Sequence, residues 1–138
     1  MATSTLFERL TAEGDAGWAV RLSGEGRLMF RLAADDGTTA EVTSTAALSP
    51  GRWYHVAITK TDQDLRLYLD GAPDASGATP SGTFGRTHTV PIRIGGRGKA
   101  TFNGWLDEIA FFDRALPEGE VRAMYRRRSE GPCVGRVQ

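Results

Sequence analysis

The residues best equipped for chemistry fall in four groups. Arg86, His88, Arg97, Lys99 and Asn103 cluster around the run Pro91–Gly95, the most donor-rich stretch of the chain. Such cations and amides suit a carboxylate or an acidic glycan through charge-assisted hydrogen bonds, and a solvated loop has the same composition. Asp35-Asp36, Asp62/Asp64 and Asp107-Glu108 supply paired carboxylates. Glycoside hydrolysis needs two carboxyl groups facing each other across a groove, ~5–9.5 Å apart. Asp107 and Glu108 are adjacent, so in a strand they point to opposite faces. Neither Asp35-Asp36-Gly37 nor Asp62-Gln63-Asp64 carries the twelve-position pattern of an EF-hand loop, and both read as turn formers. His55 and His88 are the two histidines, and neither stands beside a nucleophile in a triad pattern. His55 lies inside an apolar run and reads as a packed, hydrogen-bonded residue. Trp18, Trp53 and Trp105 could stack on sugar rings, but all three lie in strand-like runs, so core burial is expected for at least two of them. The expectation is that the chain is not an enzyme.

The elements that must position these residues are mostly short strands. Arg52–Gly71 is the clearest. Tyr54, Val56 and Ile58 alternate with Trp53, His55, Ala57 and Thr59, and after the polar turn Thr61–Asp64 the residues Leu65, Leu67 and Leu69 alternate with Arg66 and Tyr68. Period-two alternation broken by a short polar turn predicts a hairpin. Further strands are predicted at Thr5–Leu10, Trp18–Leu22, Arg27–Leu32, Thr38–Ser44 and Pro91–Gly95, with Gly-rich or Asp-Gly turns between them. Asp70-Gly71 predicts another tight turn, doubling the chain back through Ala72–Ala75. Ser76–Thr89 is predicted to be the longest loop, with a brief strand near Phe84. Asn103–Asp113 alternates with apolar residues on both faces, which predicts a central strand. Pro117–Arg128 is the one helix candidate. It has Pro at the first turn, Glu118 and Glu120 at its positive end, Arg126–Arg128 at its negative end and an apolar stripe of Val121, Met124 and Tyr125, and Gly131-Pro132 stops it. About a dozen short strands with regular turn signals imply an antiparallel sandwich or barrel.

Composition narrows the function classes. At 138 residues, with 40% hydrophobic residues and a formal net charge of zero, the chain can bury one core and exerts no global pull on nucleic acid or anionic membrane. Lys60 and Lys99 are the only lysines among 17 basic residues. Cys133 is the only cysteine, so no intrachain disulfide forms. No apolar run approaches the ~20 residues that cross a bilayer, and the first residues carry no signal-peptide pattern. Nucleic-acid binding and membrane insertion are not expected.

The elements Gly51-Arg52-Trp53-Tyr54-His55-Val56-Ala57, Leu67-Tyr68-Leu69-Asp70-Gly71, Ile92-Arg93-Ile94-Gly95-Gly96 and Phe102-Asn103-Gly104-Trp105-Leu106-Asp107-Glu108-Ile109, followed by Asp113-Arg114-Ala115-Leu116 and a helix, resemble the laminin G-like, concanavalin A-like jelly-roll family in order and spacing. The resemblance implies an all-β antiparallel jelly-roll β-sandwich with one short C-terminal helix, residues 1–138 being a single domain. It implies a non-catalytic module of an extracellular or cell-surface protein that recognises a glycan or protein ligand, as lectin-like and adhesion modules do. The ligand-binding residues are then expected at Arg86, His88, Arg97 and Asn103. In related modules an acidic residue near Asp107 helps hold a structural Ca²⁺; the alternative is that a carboxylate there caps a turn or pairs with an Arg such as Arg114. Jelly-roll enzymes that cleave polysaccharides carry a Glu-x-Asp-x-x-Glu strand, which this sequence lacks.

Two departures stand out. Pro117 replaces the Ser that often caps the helix. The one or two strands that usually open the family fold do not precede Leu6–Leu10, and Met1 is either a native start or a fragment boundary. A sandwich short of a strand exposes unpaired backbone groups and apolar side chains. The open edge, expected at Thr5–Leu10, is therefore predicted to be covered by a second copy, a partner strand or a rearranged terminus. That makes a structural or assembly module the alternative function.

Overall fold

The computed structural model describes residues 2–96 and 98–129. Eight strands, one 3₁₀ turn and one helix make up the described chain: β1 (Ser4–Leu10), β2 (Gly17–Leu22), β3 (Arg27–Ala33), β4 (Thr39–Ala47), β5 (Val56–Lys60), β6 (Asp64–Leu69), β7 (Ala72–Ala78), β8 (Arg93–Ile94) and α1 (Glu118–Ser129), with the 3₁₀ turn at Gly98–Ala100. They form two antiparallel sheets, β4-β3-β2-β1-β8 and β5-β6-β7. This is the expected jelly-roll sandwich, with fewer strands than the dozen predicted.

Alternation explains why these strands hold their register. In β3, Leu28, Phe30 and Leu32 turn inward and pack with Leu6, Val20 and Val42 of the same sheet against Leu65 and Leu67 of the other. A one-residue slip would send this whole set to solvent. Leu28 and Leu65 are wholly buried, which at ~25 cal/mol per Å² of apolar surface makes this the main source of stability. The outer face of the small sheet is covered by α1, whose Val121 packs with Tyr68 and Leu116 as the apolar stripe predicted. Pro117 stands just before α1, its carbonyl accepting the Glu120 and Val121 amides. Gly71 has φ +77°, and a Cβ there would lie 2.9 Å from the Tyr125 ring, so only glycine lets the helix approach the β6–β7 turn this closely.

Four expectations are corrected. Asn103–Asp113 belongs to no strand: the segment is irregular, Glu108 has φ +49°, and no neighbouring strand pairs with it. Alternation supplies faces but not a ladder partner, and without the ladder the extended backbone has nothing to bond. Core burial was expected for at least two of the three tryptophans, but Trp105 on this segment and Trp53 before β5 are 85% and 65% exposed, and Trp18 alone packs on the core. The predicted strand near Phe84 is replaced by turns, and Ser76–Ala78 extends β7 instead of opening the loop. Finally, β1 is not the open edge, because β8 pairs with it at Phe7–Ile94 and Glu8–Arg93. The small sheet has β5 and β7 as its edges, each pairing with β6 alone, and the β7 edge is bonded to β4 through Asp74.

Candidate ligand-binding site

The segment 81–90 closes one end of the sandwich, and carboxylates hold it there. Asp35 Oδ2 accepts the Gly85 amide at 2.7 Å and the Thr83 hydroxyl at 2.8 Å, while Oδ1 accepts the Arg86 amide at 3.0 Å. The two amides, then the hydroxyl, hold the Asp35 carboxyl below the usual carboxylate range. Asp36 works locally, its Oδ1 accepting the Thr38 amide and hydroxyl, which keeps its own pKa low. Arg86 donates to Asp15 Oδ2 at 2.9 Å, and Asp15 Oδ1 accepts the Thr11 hydroxyl at 2.6 Å. That hydroxyl first, and Arg86 second, lower the Asp15 pKa. Arg9 completes the belt from β1, donating to the carbonyls of Val90 and His88 at 2.8 Å each. The Asp35-Asp36-Gly37 turn former of the sequence is thus also the buckle of this loop.

Behind the belt is a cavity of about 240 Å³. Trp18, Leu32 and Phe84 give it apolar walls, and Arg9, Lys60 and His88 bring nitrogen groups to its lining. The Lys60 ammonium lies 4.5 Å from the Phe84 ring centroid, within cation–π range. Lys60 takes part in no ion pair among the described residues. Asp35 also lines the cavity, but both its oxygens are already engaged by the loop. The arrangement offers a ring-sized apolar surface beside a positive charge.

The predicted site residues do not all meet here. Arg86 and His88 do: His88 lines the cavity, and Arg86 anchors the loop that bears it. Asn103 sits towards the other end of β1, after Phe102, whose amide bonds Gly95, itself bonded to Leu6. Arg97 lies outside the described residues, as do Gly131-Pro132 and Cys133. Lys99 is exposed on the 3₁₀ turn. Asp107 Oδ1 accepts the Glu108 amide at 2.8 Å, as a carboxylate capping a turn would. It belongs to no group of three or more His, Cys, Asp or Glu able to hold a metal among the described residues. Calcium takes 6–8 oxygens, so the side chains at Asp107 do not by themselves fit the ion. Arg114 pairs with Glu120 instead, at 2.8 Å. His55 is buried as expected. Its amide donates to Asp70 Oδ1 and its carbonyl accepts the Asp70 amide, while the ring packs 6.0 Å from Tyr125.

Sequence reasoning missed Lys60, Phe84 and Arg9, while Trp18 was weighed for stacking on sugar rings. The four sit on different elements, so no spacing in the sequence unites them. One signal was available: Lys60 is one of two lysines in an arginine-rich chain and closes a strand.

Known proteins share this architecture. The binding domain of botulinum neurotoxin serotype G superposes with a TM-score of 0.62 at 15% identity, over 93% of this chain and 31% of that one. The binding domain of Paraclostridial Mosquitocidal Protein 1 gives 0.61 at 18% identity, over 93% and 36%. An S-layer domain-containing protein of Clostridium thermocellum gives 0.50 at 21% identity, over 90% and 63%. This chain thus spans less than two thirds of each of these structures, and at such identities the likeness concerns the fold. Among the described residues no helix is long and apolar enough to cross a membrane. A laminin G-type family model, described as the concanavalin A-like lectin/glucanases superfamily, matches residues 1–122, and the chain belongs to that family.

Proposed function

We propose that this chain is a non-catalytic binding module of an extracellular or cell-surface protein, and that its ligand is a glycan taken at the cavity behind the 81–90 loop. The observation that carries this reading is the pairing of apolar walls (Trp18, Phe84) with the Lys60 ammonium in one cavity of about 240 Å³. A pyranose has one face of C–H groups, which rests on an aromatic ring, and polar edges, which need donors such as Lys60, His88 and Arg9. A sugar acid would add a carboxylate for the cation. Similar folds in two toxin binding domains and in part of an S-layer domain-containing protein support a surface-binding role. The Glu-x-Asp-x-x-Glu strand of polysaccharide-cleaving relatives is missing from the sequence, which favours binding over cleavage.

A glycan array with the 138-residue chain, run with calcium and with chelator, tests this. Binding that is lost in Lys60→Met and kept in Lys60→Arg supports the site. Binding that disappears with chelator would instead assign the ligand to a calcium site built from backbone carbonyls near Asp107. No binding in either condition overturns the glycan reading.

A further inference from the structure

Three places in the chain set a carboxyl or carboxamide side chain directly before glycine: Asp36-Gly37, Asp70-Gly71 and Asn103-Gly104. At such a pair the backbone can attack its own side chain. Glycine has no Cβ to screen its nitrogen and reaches conformations closed to other residues, so its amide can swing onto the preceding side-chain carbonyl carbon. Two groups held side by side in this way react without having to find each other. Whether a pair reacts then depends on what else holds its atoms.

The folded chain holds two of the three. Asp36 Oδ1 accepts the Thr38 amide and hydroxyl, and the Gly37 amide donates to the Ala34 carbonyl at 3.0 Å. Asp70 Oδ1 accepts the His55 amide at 2.9 Å, and Oδ2 pairs with Arg52 at 2.8 Å. The third pair differs. Among the described residues, neither the Asn103 carboxamide nor the Gly104 N–H takes part in a hydrogen bond. Both residues are exposed, in an irregular arch between two anchors: Phe102, whose amide bonds the Gly95 carbonyl, and Leu106, which packs on the core. The arch also needs its glycine. A Cβ on Gly104 would lie 2.7 Å from Phe102 Cε1, and Phe102 is itself packed against the core. The packing that requires glycine at 104 therefore keeps the reactive pair in place.

We propose that Asn103-Gly104 is a self-modification site, at which the folded chain deamidates and acquires a new carboxylate. The Gly104 nitrogen gives up its proton and bonds to Asn103 Cγ. The bond from Cγ to Nδ2 breaks, and Nδ2 leaves as ammonia. Water then opens the resulting succinimide ring at one of its two carbonyls. The product at position 103 is an aspartyl residue, or an isoaspartyl residue whose backbone runs through the former side-chain carbonyl. Nothing is oxidised or reduced, and water is the one co-reactant. The formal net charge, zero in the unmodified chain, falls by one. Asn103 and Gly104 help to line the cleft of about 1720 Å³ that runs between the sheets on the β5–β1 side. Modification therefore makes that cleft more acidic, on the stretch that already carries Asp107 and Glu108. The site is independent of the glycan cavity at the 81–90 end.

Ageing the 138-residue chain in warm, mildly alkaline buffer tests this, with samples taken for ion exchange, intact mass and peptide mapping. A more acidic form should accumulate with time, its mass matching exchange of NH₂ for OH and its change mapping to Asn103, the only asparagine. The rate should rise with pH, because the attacking nitrogen must lose its proton. Asn103→Gln sets the carbonyl one carbon further from that nitrogen and should slow the reaction roughly tenfold or more. In the folded chain isoaspartate should be confined to position 103, while in urea Asp36-Gly37 and Asp70-Gly71 should yield it too. A folded chain that stays intact where the chain in urea deamidates means that the fold protects Asn103, and overturns the proposal. Isoaspartate at Asp36 or Asp70 in the folded chain as fast as at Asn103, or none there in urea, overturns it as well, since hydrogen bonds would then not select the site.

Discussion

The two flanks of this sandwich solve the same problem differently. On the β4–β7 side the sheets meet. Asp74 of β7 accepts the Thr45 amide at 2.7 Å and the Ala46 amide at 3.2 Å, plus the Thr45 hydroxyl at 2.9 Å. Gly77, facing Val42, lets the strands come close, for a Cβ there would sit 3.0 Å from Val42 Cγ2. One carboxylate thus satisfies edge amides that no ladder reaches, and one missing side chain makes room for the approach. On the β5–β1 side large aromatics, Phe7, Trp18 and Phe111, line the gap between the sheets. The first flank is finished by local chemistry; the second leaves its apolar surface to whatever docks there.

Perturbations should separate the flanks by size of effect. The largest is expected at Leu28, wholly buried on the strand next to β4: Leu28→Ala should cost about 2–5 kcal/mol in urea unfolding. Phe111→Ala, an equally drastic truncation on the open side, should cost less than about 1 kcal/mol in the monomer, because half the ring is already in water. Equal losses at the two positions would mean that the flanks are equally closed in solution. Next comes Asp74→Ala, which leaves two edge amides to water and should cost about 1–2 kcal/mol, with faster hydrogen exchange at Thr45 and Ala46.

The loop end adds a pH dependence. Asp35, Asp15 and Asp36 are all held below the ordinary value of 3.8 in the folded chain, Asp35 by the Gly85 and Arg86 amides, Asp15 by the Thr11 hydroxyl and Arg86, and Asp36 by the Thr38 amide. Their contribution is present above that value and is lost as pH falls through the lower folded-state values, since the unfolded chain takes up the protons first. Melting followed from pH 6 down to 3 should therefore show a decline that is smaller in Asp35→Asn, with amide exchange at Gly85 and Arg86 rising in step. The smallest effect is expected at Trp105→Ser, with stability in urea unfolding unchanged within about 0.5 kcal/mol because the side chain is already in water.

Much of the framework was legible from alternation and turns because those are local signals. Arg27–Leu32 and Leu65–Leu69 read as strands and are strands, since both find neighbours on each side. Trp105–Phe112 carries the same period and stays irregular, since alternation sets which faces a segment offers and not whether it is bonded to a neighbouring strand. The predicted loop residue His88 lines the cavity and Arg86 anchors its loop through Asp15, whereas Asn103 is drawn to the other end of β1 by the Phe102–Gly95 and Gly95–Leu6 bonds. Sequence neighbours around Pro91–Gly95 are thus not spatial neighbours, because the strand they flank places them at its two ends.

By itself the sequence determined the two-sheet class, the buried face of each inner strand, the helix with its Val121 stripe and the family. Each of these follows from residue type at short spacing, where sterics and burial act on neighbouring positions. The tertiary structure decided which edge is open, which carboxylate ties the 81–90 loop, and that Lys60 meets Phe84 and Trp18 at one cavity. Those outcomes join residues far apart in the chain, where hydrogen bonds and contacts exist only once the sheets have packed.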